Sequence, residues 1–422
     1  FADNRVPSDE DQFVLVSPDE EPLLSDKGRM RIDAYDAAPI SLGLAAEQRA
    51  AIKTLYRGSA LDMAIVERIP SKTDRTLGDY WKHEPGLHCG QGYQVATRSK
   101  DDSFLQGKRA LRANYSEHPF LVLEDALDPY RPQGLHRPRS PEIYQAPLVL
   151  VREGSKADRG EGRALFSDCD LAYSESYYGF SAANHPNGQF LCRYLLVLIH
   201  GKVFEYLSLM TSAKFGVERE SLQLRDVESL PFVPPGKLGK DHRAAIKACF
   251  AKLIANQPDW TELDRTVAQI YGLSERDQQT IADTLSTRAP FAAAKKRAIK
   301  SVTLKEAELF RARLETELAN VLSASGHRVQ VSMTNSPDRH LPWRFLSIAL
   351  NDRPTPPELP ARWIEQADDL AASRITLIDA HEPCLTVGLL DRYRYWTPTQ
   401  ARLLASDLLW EHGAMLEERA RR

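Results

Sequence analysis

Chemistry on a phosphate, a cofactor or a metal needs particular residue types at particular spacings, and a few places in the chain raise the question. Cys89-Gly90-Gln91-Gly92 and Gly160-Glu161-Gly162 each contain a Gly-x-Gly step. Neither runs on into the Gly-x-Gly-x-x-Gly that opens a helix after a strand and lays a pyrophosphate on its N-terminus, so tight turns are the expected use of both. His83, His88 and Cys89 are metal-ligand types, but a fourth partner is missing and the spacing fits no zinc module. They read as solvated loop positions. Pro337-Asp338 begins like a Mg²⁺-dependent nuclease motif, yet no Glu-x-Lys follows it in a strand. There is no Gly-x-Ser-x-Gly nucleophile elbow. The Asn-Pro-Pro-aromatic type of motif that holds a target amino nitrogen in an amino methyltransferase is also missing, since the chain contains no Asn-Pro dipeptide. No catalytic residue, metal ligand or cofactor site is expected within this chain.

The cations offer a different function. DNA affinity needs Lys and Arg to displace counterions from phosphates, and specificity needs a few side chains that reach base edges. Arg137, Arg139, Arg152, Lys156, Arg159 and Arg163 cluster in one Arg-rich stretch and are the expected DNA-contacting residues, joined by Lys214 and Phe215. The ring of Phe215 serves either core packing or base stacking. Lys72, Arg75, Lys108, Arg109 and Arg112 are secondary candidates. Gly216 reads as a backbone requirement for positive φ.

Elements must position these residues. Short apolar runs broken by Gly, Pro and Asp fill 13–147 and predict strands and irregular loops, interrupted by one helix at 45–55. The run Pro147-Leu-Val-Leu-Val-Arg152 is the clearest strand. Further strands are expected at 163–166 and 171–174, and one helix over 188–209. Pro231 to Gly239 breaks regular structure and marks a boundary. Helices follow at 244–255 and 259–271, with a third opened by Ser274; 288–301 reads as a basic linker. The tail predicts a helix at 304–322, strands at 327–333 and 343–350, a helix at 358–372, strands at 375–378 and 385–389, and a final helix from Pro398 capped by Thr397. The fold class is therefore α+β: a strand-rich domain over 1–235, a helical connector over 236–300 and a small α+β domain over 301–422.

Composition is compatible with this. The 422 residues are 42% hydrophobic and 27% charged, with a net charge of −3 that hides the local Arg-rich stretch. The longest apolar run centres on Leu195 to Ile199, far short of the roughly 20 residues needed to cross a bilayer. Five cysteines lie far apart without a Cys-x-x-Cys pair, which predicts reduced thiols and a cytoplasmic setting. The chain opens on Phe1 and a polar stretch, which we read as the cut edge of a longer protein rather than a signal peptide.

Two stretches carry a resemblance. Pro141-Glu142-Ile143-Tyr144-Gln145-Ala146-Pro147-Leu148-Val149-Leu150-Val151-Arg152 resembles the Ile-Tyr-x-x-Pro-x-Leu-Leu-Val/Ile-Arg strand of adenine (N-6) DNA methyltransferases of the fused restriction-modification type. The stretch 164–235 is similar to the segment that follows in that family, through the turn Ser212-Ala213-Lys214-Phe215-Gly216 to the closing Leu224-Arg225-Asp226-Val227-Glu228-Ser229-Leu230-Pro231. Thr76-Leu77-Gly78-Asp79-Tyr80, Gly90-Gln91-Gly92-Tyr93 and the helix Leu263 to Ser274 extend the likeness over about 10–285. The resemblance implies a target-recognition region that binds double-stranded DNA for an upstream methyltransferase domain, or a partner subunit, which would hold S-adenosylmethionine. A separately encoded specificity or adaptor subunit, and a metal-dependent nuclease effector built around the tail, are the alternatives. No membrane partner is expected.

Overall fold

The computed structural model describes residues 8–18, 22–32, 34–48, 50–95, 100–131, 134–217, 220–333, 343–351, 372–378 and 384–420. The fold is mixed α+β, as the element pattern predicts. The expected helix at 358–372 (all but its last residue) and Pro337-Asp338 lie outside the described residues. Packing groups the chain into two compact units, Arg57–Ile281 on one side and Phe1–Tyr56 with Ala282–Arg422 on the other. This grouping does not follow the segment boundaries drawn near 235 and 300.

The unit Arg57–Ile281 is built on a four-stranded antiparallel sheet in the order Ala164–Ser167, Leu148–Arg152, Tyr177–Ser181, His88–Gln91. Leu148–Arg152 lies inside it and is buried at every position, which explains why it reads as a continuous apolar run rather than an alternating one. Leu148 and Leu150 join a cluster with Ile143, Tyr144, Leu165 and Tyr173. Phe166 and Phe180 meet Phe250 and Trp81 at ring-centroid distances of 5.1 and 5.8 Å. Helix Gly188–His200 packs on the sheet, and helices Lys240–Ile254 and Trp260–Ile270 pack on it in turn. The stretch expected to be a connector is therefore, up to Ile281, part of this unit's core.

Several local expectations need correction. The helix foreseen over 188–209 is two helices, Gly188–His200 and Lys202–Thr211, broken at Gly201, whose extended ψ of 149° ends the first and caps the second. A further helix, Ala60–Ser71, lies where strands and loops were expected, and Leu77–His83 is another, at the stretch whose family likeness implies a helix start. Each opens with a capping box, Ser59 with Asp62 and Thr76 with Asp79, in which side chain and backbone satisfy one another's orphan donors. Asp62 is buried and also accepts from the Tyr206 hydroxyl at 3.1 Å. The helix expected at 45–55 is also split, into Leu42–Glu47 and Ala51–Arg57.

The second unit holds a four-stranded antiparallel sheet in the order Val329–Met333, Trp343–Leu350, Leu385–Leu390, Arg374–Ile378. Helices Leu304–Leu322 and Pro398–Ala420 pack on each other and on the sheet, with Phe310 against Trp396 at 4.9 Å. The helix from Pro398 begins where its Thr397 cap places it, and the one from Leu304 opens on a Thr303–Glu306 capping box. The expected basic linker instead contains a short helix, Ala292–Ala298, whose Arg297 bonds the Tyr393 hydroxyl at 3.0 Å. Among the described residues no helix is long and apolar enough to cross a membrane.

His200 is fully buried within the unit Arg57–Ile281, at the end of helix Gly188–His200. Its Nδ1 donates to the Leu196 carbonyl at 2.8 Å, which leaves Nε2 to accept from the Arg163 backbone N–H at 3.1 Å. Burial holds the imidazole down to about 3 from an ordinary 6.5. Burial also lowers His118. Below pH 6.5 the unfolded chain takes up protons that the folded chain refuses, so stability falls as the pH drops from there towards 3. Urea unfolding between about pH 7.5 and 5 should show a loss approaching about 1.4 kcal/mol per pH unit for His200 alone, and His200→Gln should flatten the slope by about one proton.

Candidate nucleic-acid interface

The structure separates the predicted DNA-contacting residues into two groups. Arg152 is 8% exposed. Its Nε donates to the Gly162 carbonyl at 3.1 Å, Nη1 to the Tyr177 hydroxyl at 3.1 Å and Nη2 to the Tyr115 carbonyl at 2.8 Å. Arg159 forms a two-pronged pair with Asp264 at 2.6 and 2.9 Å and lies 4.4 Å over the Trp260 ring. Arg163 is buried and ion-paired with Glu205. None of these three guanidinium groups reaches a phosphate without breaking buried contacts. Phe215 is 1% exposed, which settles its ring as core packing. Its neighbour Gly216 has a φ of 76°, the backbone requirement foreseen for it. Lys214 is half-buried in the same turn, which the Ser212 hydroxyl closes by accepting from the Lys214 and Phe215 backbone N–H groups at 3.3 and 3.1 Å. Lys156 is half exposed, 3.3 Å from Glu161, on the lining of a cavity of about 770 Å³ that Tyr115, Arg152 and Asn256 also line.

The second group stands on a small two-stranded ribbon. Gln94–Val95 pairs antiparallel with Leu135–Arg137, with Gln94 opposite Arg137 and Val95 opposite Leu135. The register slips by one residue between these pairs, so His136 is an extra residue on its strand. Such a bulge breaks the in-out alternation of side chains. As a result His136 and Arg137 are both exposed although they are consecutive, while Leu135 is fully buried and anchors the ribbon in the core with Tyr93 and Tyr130. Arg131 and Lys100 are also exposed, and the Lys100 backbone N–H bonds the Leu135 carbonyl at 3.0 Å.

Arg139 fixes the base of this ribbon. Its φ is 72°, an unusual state for a residue with a side chain. The guanidinium bonds the Gln91 amide oxygen at 3.1 Å and the Gly92 carbonyl at 3.4 Å, and the Tyr144 hydroxyl holds the Pro138 carbonyl at 2.9 Å. Gly92 itself passes so close to the Tyr173–Ser174 backbone that a Cβ would lie 2.3 Å from either carbonyl oxygen. Gly162 likewise runs against Pro119. Both Gly-x-Gly steps are thus close chain crossings, in keeping with tight turns.

Ion pairing holds many cations of this unit, although Lys72, Arg225, Lys240 and Lys247 are exposed without an ion pair among the described residues. Arg68, Arg75, Lys82, Lys108, Arg112, Lys202, Lys237, Lys252 and Arg265 are all ion-paired. Arg109 bonds the Leu127 carbonyl at 3.1 Å. Lys100, Arg131, His136 and Arg137 have no such partner among the described residues. Sequence reasoning had only Arg137 of these four. The signal for the others is the absence of any carboxylate between Asp128 and Glu142, whereas Asp158 and Glu161 lie inside the stretch that supplied the buried arginines.

The remaining candidates do not assemble a reactive centre. His83 Nδ1 meets the Asp79 carbonyl at 2.8 Å, and Cys89 lies 3.6 Å from Glu228. Burial, with the Glu228 charge, pushes the Cys89 thiol up to about 12. No group of three or more His, Cys, Asp or Glu among the described residues could hold a metal ion. No disulfide links any of the five cysteines. The closing phrase of the second family-like stretch forms a short helix, Leu224–Glu228, and a strand, Pro231–Phe232, that pairs with Arg75–Thr76.

The chain matches no protein-family model and no curated protein. The distinction between buried and exposed arginines therefore rests on geometry, and stability checks it. Arg163→Met should lower the unfolding free energy by about 3 kcal/mol or more because Glu205 loses its buried partner. Arg137→Ala should change it by less than about 0.5 kcal/mol. Comparable effects in urea denaturation would contradict the assignment.

Proposed function

We propose that this chain recognises double-stranded DNA, as the target-recognition region of an adenine (N-6) DNA methyltransferase or a methyltransferase-like restriction or phage-defence protein. The observation that carries the reading is the group of exposed cations at the ribbon, Lys100, Arg131 and Arg137 with His136, which stand together without an ion pair among the described residues. An exposed cation without a carboxylate neighbour loses little on meeting a phosphate, and a two-stranded ribbon is narrow enough to enter a major groove. The family-like phrases support it too: one supplies the central strand Leu148–Arg152, and another supplies the turn that buries Phe215. Methyl transfer and S-adenosylmethionine binding belong, in this reading, to a separate domain or subunit, which this chain presents with DNA so that an adenine can be flipped out.

The full chain should bind random-sequence duplex DNA with an affinity that falls steeply with salt. Replacing Lys100, Arg131 and Arg137 together by Glu should abolish binding while leaving the urea midpoint nearly unchanged. Each phosphate contact removed singly by alanine should lower the slope of log K against log salt by about 0.9. Salt-insensitive or absent binding by the unaltered chain would defeat the reading and favour a partner-dependent adaptor.

A further inference from the structure

We propose that the cross-strand pair Gln94 and Arg137 is the base-reading element, and that the DNA it selects carries a guanine next to an adenine. This rests on the DNA-recognition reading above. Residues directly opposite each other in an antiparallel pair share one face, with Cβ atoms about 5 Å apart. Gln94 and Arg137 are such a pair. Successive bases along a strand rise by about 3.4 Å, so side chains that far apart reach neighbouring base pairs.

The chemistry of the two groups is complementary to purine edges. An Arg fork donates twice to guanine O6 and N7, and a Gln amide both donates and accepts at adenine N7 and N6. Neither side chain has a hydrogen-bonding partner among the described residues, so both meet DNA without first breaking a contact. The bulge at His136 supports a dedicated role, because it turns Arg137 outward where regular alternation after the exposed His136 would turn it in. Lys100, whose backbone N–H bonds the Leu135 carbonyl at 3.0 Å, and Arg131, which follows the Tyr130 ring packed 5.8 Å from Tyr93, are exposed cations suited to phosphates, which set register without reading sequence. Arg139, bound to Gln91 and Gly92, holds the strand carrying Arg137 in place.

The test is selection from a random duplex library by the full chain, by Arg137→Ala and by Gln94→Ala, followed by sequencing and by affinity measurements on the selected site. The unaltered chain should enrich a site containing adjacent guanine and adenine. Arg137→Ala should lose the guanine preference and Gln94→Ala the adenine preference, each by roughly tenfold to a hundredfold in discrimination at one position only. Arg137→Lys should restore part of the affinity but less of the discrimination. If both alanine variants retain the same motif and merely bind more weakly at every sequence, Arg137 is a phosphate contact and the proposal is overturned while DNA recognition stands. If the unaltered chain shows no salt-sensitive binding at all, the functional reading has failed and this inference with it.

Discussion

The arrangement of the unit Arg57–Ile281 depends on one buried cation. The Arg152 guanidinium ends the central strand and donates to the Gly162 carbonyl, the Tyr177 hydroxyl and the Tyr115 carbonyl. A guanidinium withdrawn from water is costly unless its donors find acceptors, so it recruits three separate segments to one point. Tyr177 extends the constraint, since its hydroxyl in turn donates to the Arg112 and Ala113 carbonyls at 3.0 and 3.2 Å. The strand that leads from this point back to Ala146 defines the sheet, and the sheet in turn fixes where the Arg139 brace and the ribbon begin.

Several strands and helices were readable from the sequence because those elements carry local signals. Leu148–Arg152 is a continuous apolar run, and the helices from Leu304 and Pro398 begin with capping residues at the right spacing. Helix Ala60–Ser71 was missed for an equally local reason: Pro70 lies inside its last turn and suggests a break, while the Ser59–Asp62 capping box went unread. The split at Gly201 was hidden because apolar spacing continues across it, even though the Gly leaves no room for a Cβ without pressing on Val267 at 3.0 Å.

The roles of the arginines were less readable, for a physical reason. Whether a guanidinium is available depends on acceptors far away in the chain: Arg159 finds Asp264 and Arg163 finds Glu205. Composition within the stretch records none of that. What composition does record is local acid content, and the acid-free segment around Arg137 is where the cations stay exposed. Charge density alone therefore groups paired and unpaired arginines together, and Phe215, left open on sequence grounds between base stacking and core packing, is a core ring.

The backbone of Arg139 has a consequence for how this surface can change. A β-branched side chain is strongly disfavoured at a φ of 72°, and Gly or Asn would fit the backbone but lose the bonds to Gln91 and Gly92. The position thus couples conformation and side-chain chemistry, and few replacements satisfy both. Two residues away, the Arg137 side chain has no hydrogen bond or ion pair among the described residues. The framework and the outward letters of the ribbon are therefore under separate constraints, so new outward side chains can be tried on an unchanged support, much as type is reset in a fixed frame.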